Sequence, residues 1–324
     1  VSVTATRRPV RGLDVPAAVS VLEAERLELA PALVLDDALR STPGFSLFRR
    51  SSSRTANPTA QGATLRGLSA SGAGRTLVLA DGLPLNDPFG GWVSWLRLPV
   101  AAVERVEGAR GALGDLHGPD AAAGVVQVFS RQPGQQWRGQ VVADAGQQGT
   151  SRLSVWSGRA HGPLAWTLAA ERFGSAGALP LEEASRGAVD EPAGVEARAG
   201  GASLRGVLAG VSLTARAEAF DERRTNGTAL QRNDTNFRQG SLEATVPAAG
   251  GSLRASGARS VQAFDQTFTA VSADRARETL TASQRVTAER NAVSAEWVGG
   301  AARASWLVGA ERRWASGRND ETRY

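Results

Sequence analysis

The 324-residue sequence has no cysteine, no lysine and only two histidines. Without cysteine, disulfides, zinc–thiolate sites and thiol nucleophiles are excluded. Without lysine there is no phosphate-binding loop of the GK[ST] type, and Gly108, Gly111 and Gly114 lack the spacing of a dinucleotide loop. His117 and His161 stand too far apart to suggest a local metal pair. With no G-x-S-x-G elbow, a catalytic triad is not expected either. Asp115, Asp120 and Asp144 form no recognisable calcium loop. The expectation is a protein that is not an enzyme and carries no cofactor. All 37 basic residues are arginine, and the net charge of +5 is spread along the chain. A nucleic-acid partner is therefore not expected. No run approaches the ~18 apolar residues of a membrane helix, which leaves open a barrel crossing by alternating strands. The chain begins at valine without a charged-then-apolar leader, the pattern of a processed or excised product.

Two grammars follow one another. In the first 133 residues, Leu22–Leu29 and Leu33–Leu39 carry apolar residues at helical spacing, and Pro43-Gly44 stops the second. Val19–Leu22, Thr64–Gly67, Thr76–Leu79, Val103–Glu107 and Val125–Ser130 read as strands. Asp81-Gly82 predicts a hairpin. After Pro133-Gly134 the period becomes two: Val211, Leu213, Ala215, Ala217 and Ala219 share one face, as do Leu164, Trp166, Leu168 and Ala170, and Ala304, Trp306, Val308 and Ala310. About ten strands of about ten residues are expected, a length that crosses a bilayer. Short links such as His161-Gly162 alternate with longer polar ones near 175–195, 222–236 and 264–277. Trp137, Trp156, Trp166, Trp297, Trp306 and Trp314 are candidates for interfacial girdles. Asn319 to Tyr324 reads as a polar loop.

The motifs of the first part resemble a known family. Glu104 to Pro133 is similar to the end of the plug domain of TonB-dependent outer-membrane receptors: Arg110-Gly111, His117-Gly118 and Gly124-Val125-Val126 fall at its RGP, YG and GGV positions. Leu35 to Phe45 resembles its LxDxLRxxPGV segment, Leu65-Arg66-Gly67 its IRG, and Leu77 to Asn86 its VLVDGVPLN. Val1 to Arg8 is similar to a TonB box. The resemblance implies a TonB box (1–8), an α+β plug domain (9–133) and the first part of a transmembrane antiparallel β-barrel (134–324). Plugged barrels have ~22 strands, and a plug of this size does not fit a lumen of ten, so the expectation is an incomplete barrel.

Carried over residue by residue, the resemblance implies that Val1, Ser2, Val3, Thr4, Ala5 and Thr6 bind TonB by strand addition. It places Arg66, Glu104, Glu107 and Arg110 at a plug–barrel lock, or else in a solvated pair on a small domain. The outward plug loops Ser51–Asn57 and Asn86–Trp95 supply ligand candidates Arg54, Asn57, Asn86, Phe89, Trp92 and Trp95, although the second loop is equally suited to packing on the barrel wall. The expected location is the cell outer membrane. The expected partners are TonB, outer-membrane lipid and a ligand such as a ferric siderophore or cobalamin. A signalling receptor and a soluble β-rich binding protein are the alternatives.

Overall fold

The computed structural model describes residues 2–3, 10–11, 17–30, 32–48, 51–65, 76–111, 113–301 and 304–324. Strands β1 (Ser2–Val3) and β2 (Val10–Arg11) pair antiparallel. There follow β3 (Ala18–Glu23), helices α1 (Ala24–Leu29) and α2 (Leu35–Leu39), and the short pair β4 (Ser46–Leu47) and β5 (Ala63–Thr64). Then come β6 (Thr76–Ala80), β7 (Leu83–Pro84), β8 (Val103–Arg110), the single turn α3 (Gly114–His117) and β9 (Gly124–Ser130). Five of these strands form one mixed sheet in the order β3-β8-β9-β6-β7, in which β6 and β9 run parallel. Its core is apolar: Leu39, Leu65, Val78, Val93, Trp95 and Val106 are almost fully enclosed.

The family-like motifs have physical reasons. Gly44 has φ of +78°, and a Cβ there would lie 2.7 Å from the Leu65 carbonyl oxygen and 3.2 Å from the Arg110 stem. At Gly124, with φ of +133°, a Cβ would lie 2.5 Å from the Ala109 carbonyl oxygen. Both positions require glycine. The expected hairpin is present, with Asp81 at φ 45° and Gly82 at φ 85°, the two positive values of a type I′ turn.

The remaining strands are β10 (Arg138–Gly146), β11 (Thr150–His161), β12 (Leu164–Ala178), β13 (Ala193–Leu208), β14 (Val211–Thr225), β15 (Arg232–Ala248), β16 (Gly251–Val271), β17 (Glu278–Ala301) and β18 (Ala304–Arg323). They form one antiparallel sheet in sequence order, with β10 and β18 at its edges. The sheet has nine strands where ten were expected, because the runs at 279–285 and 293–298 belong to the single 24-residue strand β17. The polar stretch between them keeps pairing with both neighbours, from Val286 opposite Phe264 and Asn319 to Ala292 opposite Ala258 and Arg313. Pairing also consumes most of the expected loops: 222–236 shrinks to 226–231 and 264–277 to 272–277. The polar end at Asn319 is strand up to Arg323, paired with Ala282 to Val286. Strands of up to 24 residues are about twice the length a bilayer crossing needs, which explains why their distal parts are polar on both faces. The alternation is otherwise as read: on β12, Glu171, Phe173 and Ser175 are buried while Leu164, Leu168 and Arg172 are exposed.

Candidate functional site: the seam between the amino-terminal unit and the strand wall

The inner face of the nine-stranded sheet wraps the amino-terminal unit, and contacts run from β10 to β18. Three apolar patches anchor it. Val34 and Leu96 pack into Phe173, Phe220 and Phe237, and Trp92 meets Phe264 with ring centroids 5.3 Å apart. Ala101 and Ala102 pack on Trp156. Trp156 therefore points inward and is not a girdle residue. Trp137, Trp166, Trp297 and Trp306 face outward near the short-turn end, and the last two stack at 6.3 Å.

Four wall arginines reach main-chain carbonyls of the enclosed unit. Arg152 donates to Leu33 O at 2.6 Å, Arg224 to Ala56 O at 3.1 Å, Arg290 to Asn86 O at 2.9 Å and Arg313 to His117 O at 3.4 Å. In the reverse sense, the backbone N–H groups of Val100 and Ala101 donate to Glu171 Oε2 at 2.8 Å and Ser154 Oγ at 3.1 Å. Side chain to side chain, Arg97 pairs with Glu218 at 3.0 Å and lies 3.7 Å over the Phe237 ring. Arg54 donates to Thr150 Oγ1 at 3.1 Å, and Gln262 donates to Asp87. Burial lowers the pKa of Arg97, and Glu218 opposes that shift.

The loops that meet the wall are themselves pinned. Asp87 Oδ1 accepts from the N–H groups of Phe89, at 2.8 Å, and Gly90, which builds the 87–91 turn. Asp36, fully buried on α2, accepts from Ser53 N at 2.8 Å and Ser53 Oγ at 2.6 Å. Its neighbour Asp37 accepts from Ser52 Oγ at 2.7 Å. Burial outweighs those donors and pushes the Asp36 carboxyl up to about 6. The LxDxLR segment thus holds the 51–57 loop in place.

The sequence-expected residues fall in different places. Ser2 and Val3 pair with Arg11 and Val10, while Val1, Thr4, Ala5 and Thr6 lie outside the described residues, as does Arg66. Glu107 is buried in the five-stranded sheet and pairs with Arg105 at 3.0 Å, and Arg110 lies on the same strand beside Gly44. Glu104 is half-buried on that strand. Among the ligand candidates, Arg54 and Asn57 are half-buried on the 51–57 loop, and Phe89 is 60% exposed. Asn86 is buried, accepting from Val78 N at 2.8 Å and donating to Thr76 O and Gly91 O at 3.2 Å. Trp92 packs on the wall. Trp95 is 1% exposed, donating to Gln61 O at 3.2 Å with Phe45 edge-on at 6.0 Å. These three support the loop from behind. Sequence reasoning missed Arg97, Asp87 and the wall arginines. The signal for the latter was their inward register, which only strand pairing reveals.

A sheet wrapping an α+β unit matches known proteins. The profile of the TonB-dependent Receptor Plug Domain matches residues 11–125. Residues 11–125 belong to the TonB-dependent receptor plug-domain family. The Iron-regulated outer membrane virulence protein of Vibrio cholerae serotype O1 is 34% identical over 136 residues, 40% of this chain and 19% of that protein. Vitamin B12 transporter BtuB of Vibrio vulnificus is 32% identical over 130 residues, again 40% of this chain and 20% of that protein. The aligned stretches therefore span about a fifth of these relatives' lengths. Among solved structures, the ferripyoverdine receptor of the Pseudomonas aeruginosa outer membrane superposes with a TM-score of 0.78 at 14% identity. That superposition covers 99% of this chain and 45% of the receptor. The enclosed unit is thus the plug, the nine strands are barrel wall, and the protein resides in the outer membrane.

Proposed function

We propose that this receptor chain serves TonB-dependent uptake of a scarce, bulky nutrient, a ferric siderophore or cobalamin, with the plug gating the barrel. The observation that carries the gating is the ring of wall arginines on plug carbonyls. Each bond from a charged donor contributes about 1.5–3 kcal/mol, so the closed state is held by many separable contacts rather than by one apolar core. Contacts of this kind yield one at a time to a pull from the periplasm and re-form afterwards. The pull enters at Val1–Thr6, which we assign to TonB as an added strand; its β-branched Val1, Val3, Thr4 and Thr6 favour extended backbone. We assign Glu104, Glu107 and Arg110 to the plug's own rigidity, and the wall contacts to Arg54, Asp87 and Arg97. Ligand contact is assigned to Arg54, Asn57 and Phe89, the candidates that keep accessible surface. The substrate classes come from what the relatives' names state, and those names are of receptors and transporters; we assign no catalysis.

The test is uptake of radiolabelled ferric siderophores and cobalamin by cells that depend on this receptor. Uptake of at least one is expected, and it requires the proton-motive force. Val3→Pro is expected to abolish that uptake and to leave ligand binding at the cell surface intact. Loss of binding and uptake together overturns the assignment of Val1–Thr6, and energy-independent entry overturns active transport.

A further inference from the structure

The outward face of the wall is banded. On β12 the outward residues Leu164, Trp166, Leu168 and Ala170 are apolar and the next is Arg172; on β13 Leu208, Leu204 and Ala202 lead to Arg198. On β14 the series Leu213, Ala215, Ala217 and Ala219 ends at Asp221. Strand register places Arg172 directly opposite Arg198, and Arg198 directly opposite Asp221. Further round, the charged edge continues with Arg238 and Arg259. Their charges are answered: Arg238 reaches Asp221 at 3.2 Å and Arg259 reaches Glu289 at 3.0 Å. Arg172 and Arg198 are exposed and make no hydrogen bond or ion pair among the described residues.

Like charges directly opposite across a strand pair repel. An anion shared by the two guanidiniums removes that repulsion, and phosphate suits their forked donors. What lies beside the pair decides what carries the anion. Leu153, opposite Arg172 on β11, is 53% exposed, and Leu168 and Leu204 just below are 55% and 54% exposed. A soluble phosphate leaves those leucines unused, whereas a lipid lays its acyl chains along them with its head group at the arginines.

We propose that Arg172 and Arg198 bind the phosphate of an anionic membrane lipid, in the leaflet on the side of the longer strand connections. That is the outer leaflet, since outer-membrane barrels carry their long loops outside. The site rests on the strands facing lipid and not on transport, so failure of uptake leaves it standing, and its own failure leaves the uptake reading standing.

The experiment uses the full-length receptor, purified in neutral detergent and incubated with diphosphoryl lipid A, phosphatidylcholine or inorganic phosphate, with bound lipid counted by native mass spectrometry. Lipid A is expected to stay bound at levels phosphatidylcholine does not reach, and Arg172→Gln with Arg198→Gln is expected to lower retention about tenfold, a loss of ~1.4 kcal/mol. Arg223→Gln, one row nearer the loops and paired with Asp234 at 3.4 Å, is expected to retain lipid like the wild type. Each single Gln variant removes the repulsion. It is therefore expected to melt no lower than wild type without lipid, and to gain less from lipid A. Equal retention by the double variant, displacement of lipid A by inorganic phosphate, or single variants that gain as much from lipid A as the wild type would overturn the proposal.

Discussion

On the inner face of the wall Arg152, Arg224, Arg290 and Arg313 end on plug carbonyls. On the outer face Arg238 and Arg259 end on carboxylates of adjacent strands, and Arg172 and Arg198 end on neither. The difference lies in the added acceptor: Arg152, Arg224 and Arg313 also pair with the wall carboxylates Asp144, Glu222 and Glu311, and the inner arginines reach a plug carbonyl besides. A main-chain carbonyl exists at every plug residue, so the inner arginines demand a backbone path and leave the plug side chain free to vary. The outer pairs demand an opposite charge at one register position and sit in water or at head groups, where screening reduces their worth. One sheet therefore uses the same side chain to fix a neighbouring body on one side and to mark the edge of the apolar band on the other.

The contrast is tested most severely at Arg97, whose side chain is 3% exposed and answered by Glu218. Glu218→Leu strands that charge and is expected to cost the plug's attachment about 3–5 kcal/mol, read as faster hydrogen exchange over residues 93–103. Adding Arg97→Met restores most of it if burial of an unanswered charge is the cause. Asp36 sharpens the point from the plug side, since it is as deeply buried but is answered by Ser53 hydrogen bonds alone. Its carboxyl rises from 3.8 to about 6, so in that window the folded plug binds a proton that the unfolded chain does not. Stability is then expected to fall as pH rises from about 4 to about 6 and to level off above. The whole change is on the order of 3 kcal/mol at ~1.4 kcal/mol per unit. Melting of the receptor against pH, with Asp36→Asn as the variant that flattens the slope, checks it.

How much of this was legible in the sequence follows from the same contrast. Gly44, Gly124 and Asp81-Gly82 were readable because each answers a local backbone demand. The wall was readable because burial on one face imposes a period of two. The seam was not. Its acceptors are carbonyls of Leu33, Ala56, Asn86 and His117, and no residue type announces a carbonyl. Charged residues inside plug motifs drew attention instead, yet Glu107 is buried against Arg105 within the plug's own sheet. Trp156 and Trp166 look alike in an alternating run, and only the register turns one to the plug and the other to lipid. Strand ends were misjudged because pairing, not hydropathy, extends β14 to β18 beyond the apolar band.

The gentlest test compares one arginine from each face at neighbouring register positions. Arg290 on β17 donates to Asn86 O, and Arg259 on β16 pairs with Glu289. Arg290→Ala removes a charge-assisted bond at a half-buried seam and is expected to loosen the 86–92 loop by about 1–3 kcal/mol, seen as hydrogen exchange confined to that loop. Arg259→Ala removes an exposed pair and is expected to change receptor stability by no more than ~0.5 kcal/mol, and less still at high salt. Equal costs at the two sites would mean that the acceptor does not govern what these arginines contribute, and the division of labour between the faces would fall. A larger cost at Arg290 that survives high salt, beside a negligible one at Arg259, is what a wall gripping the plug by its main chain requires.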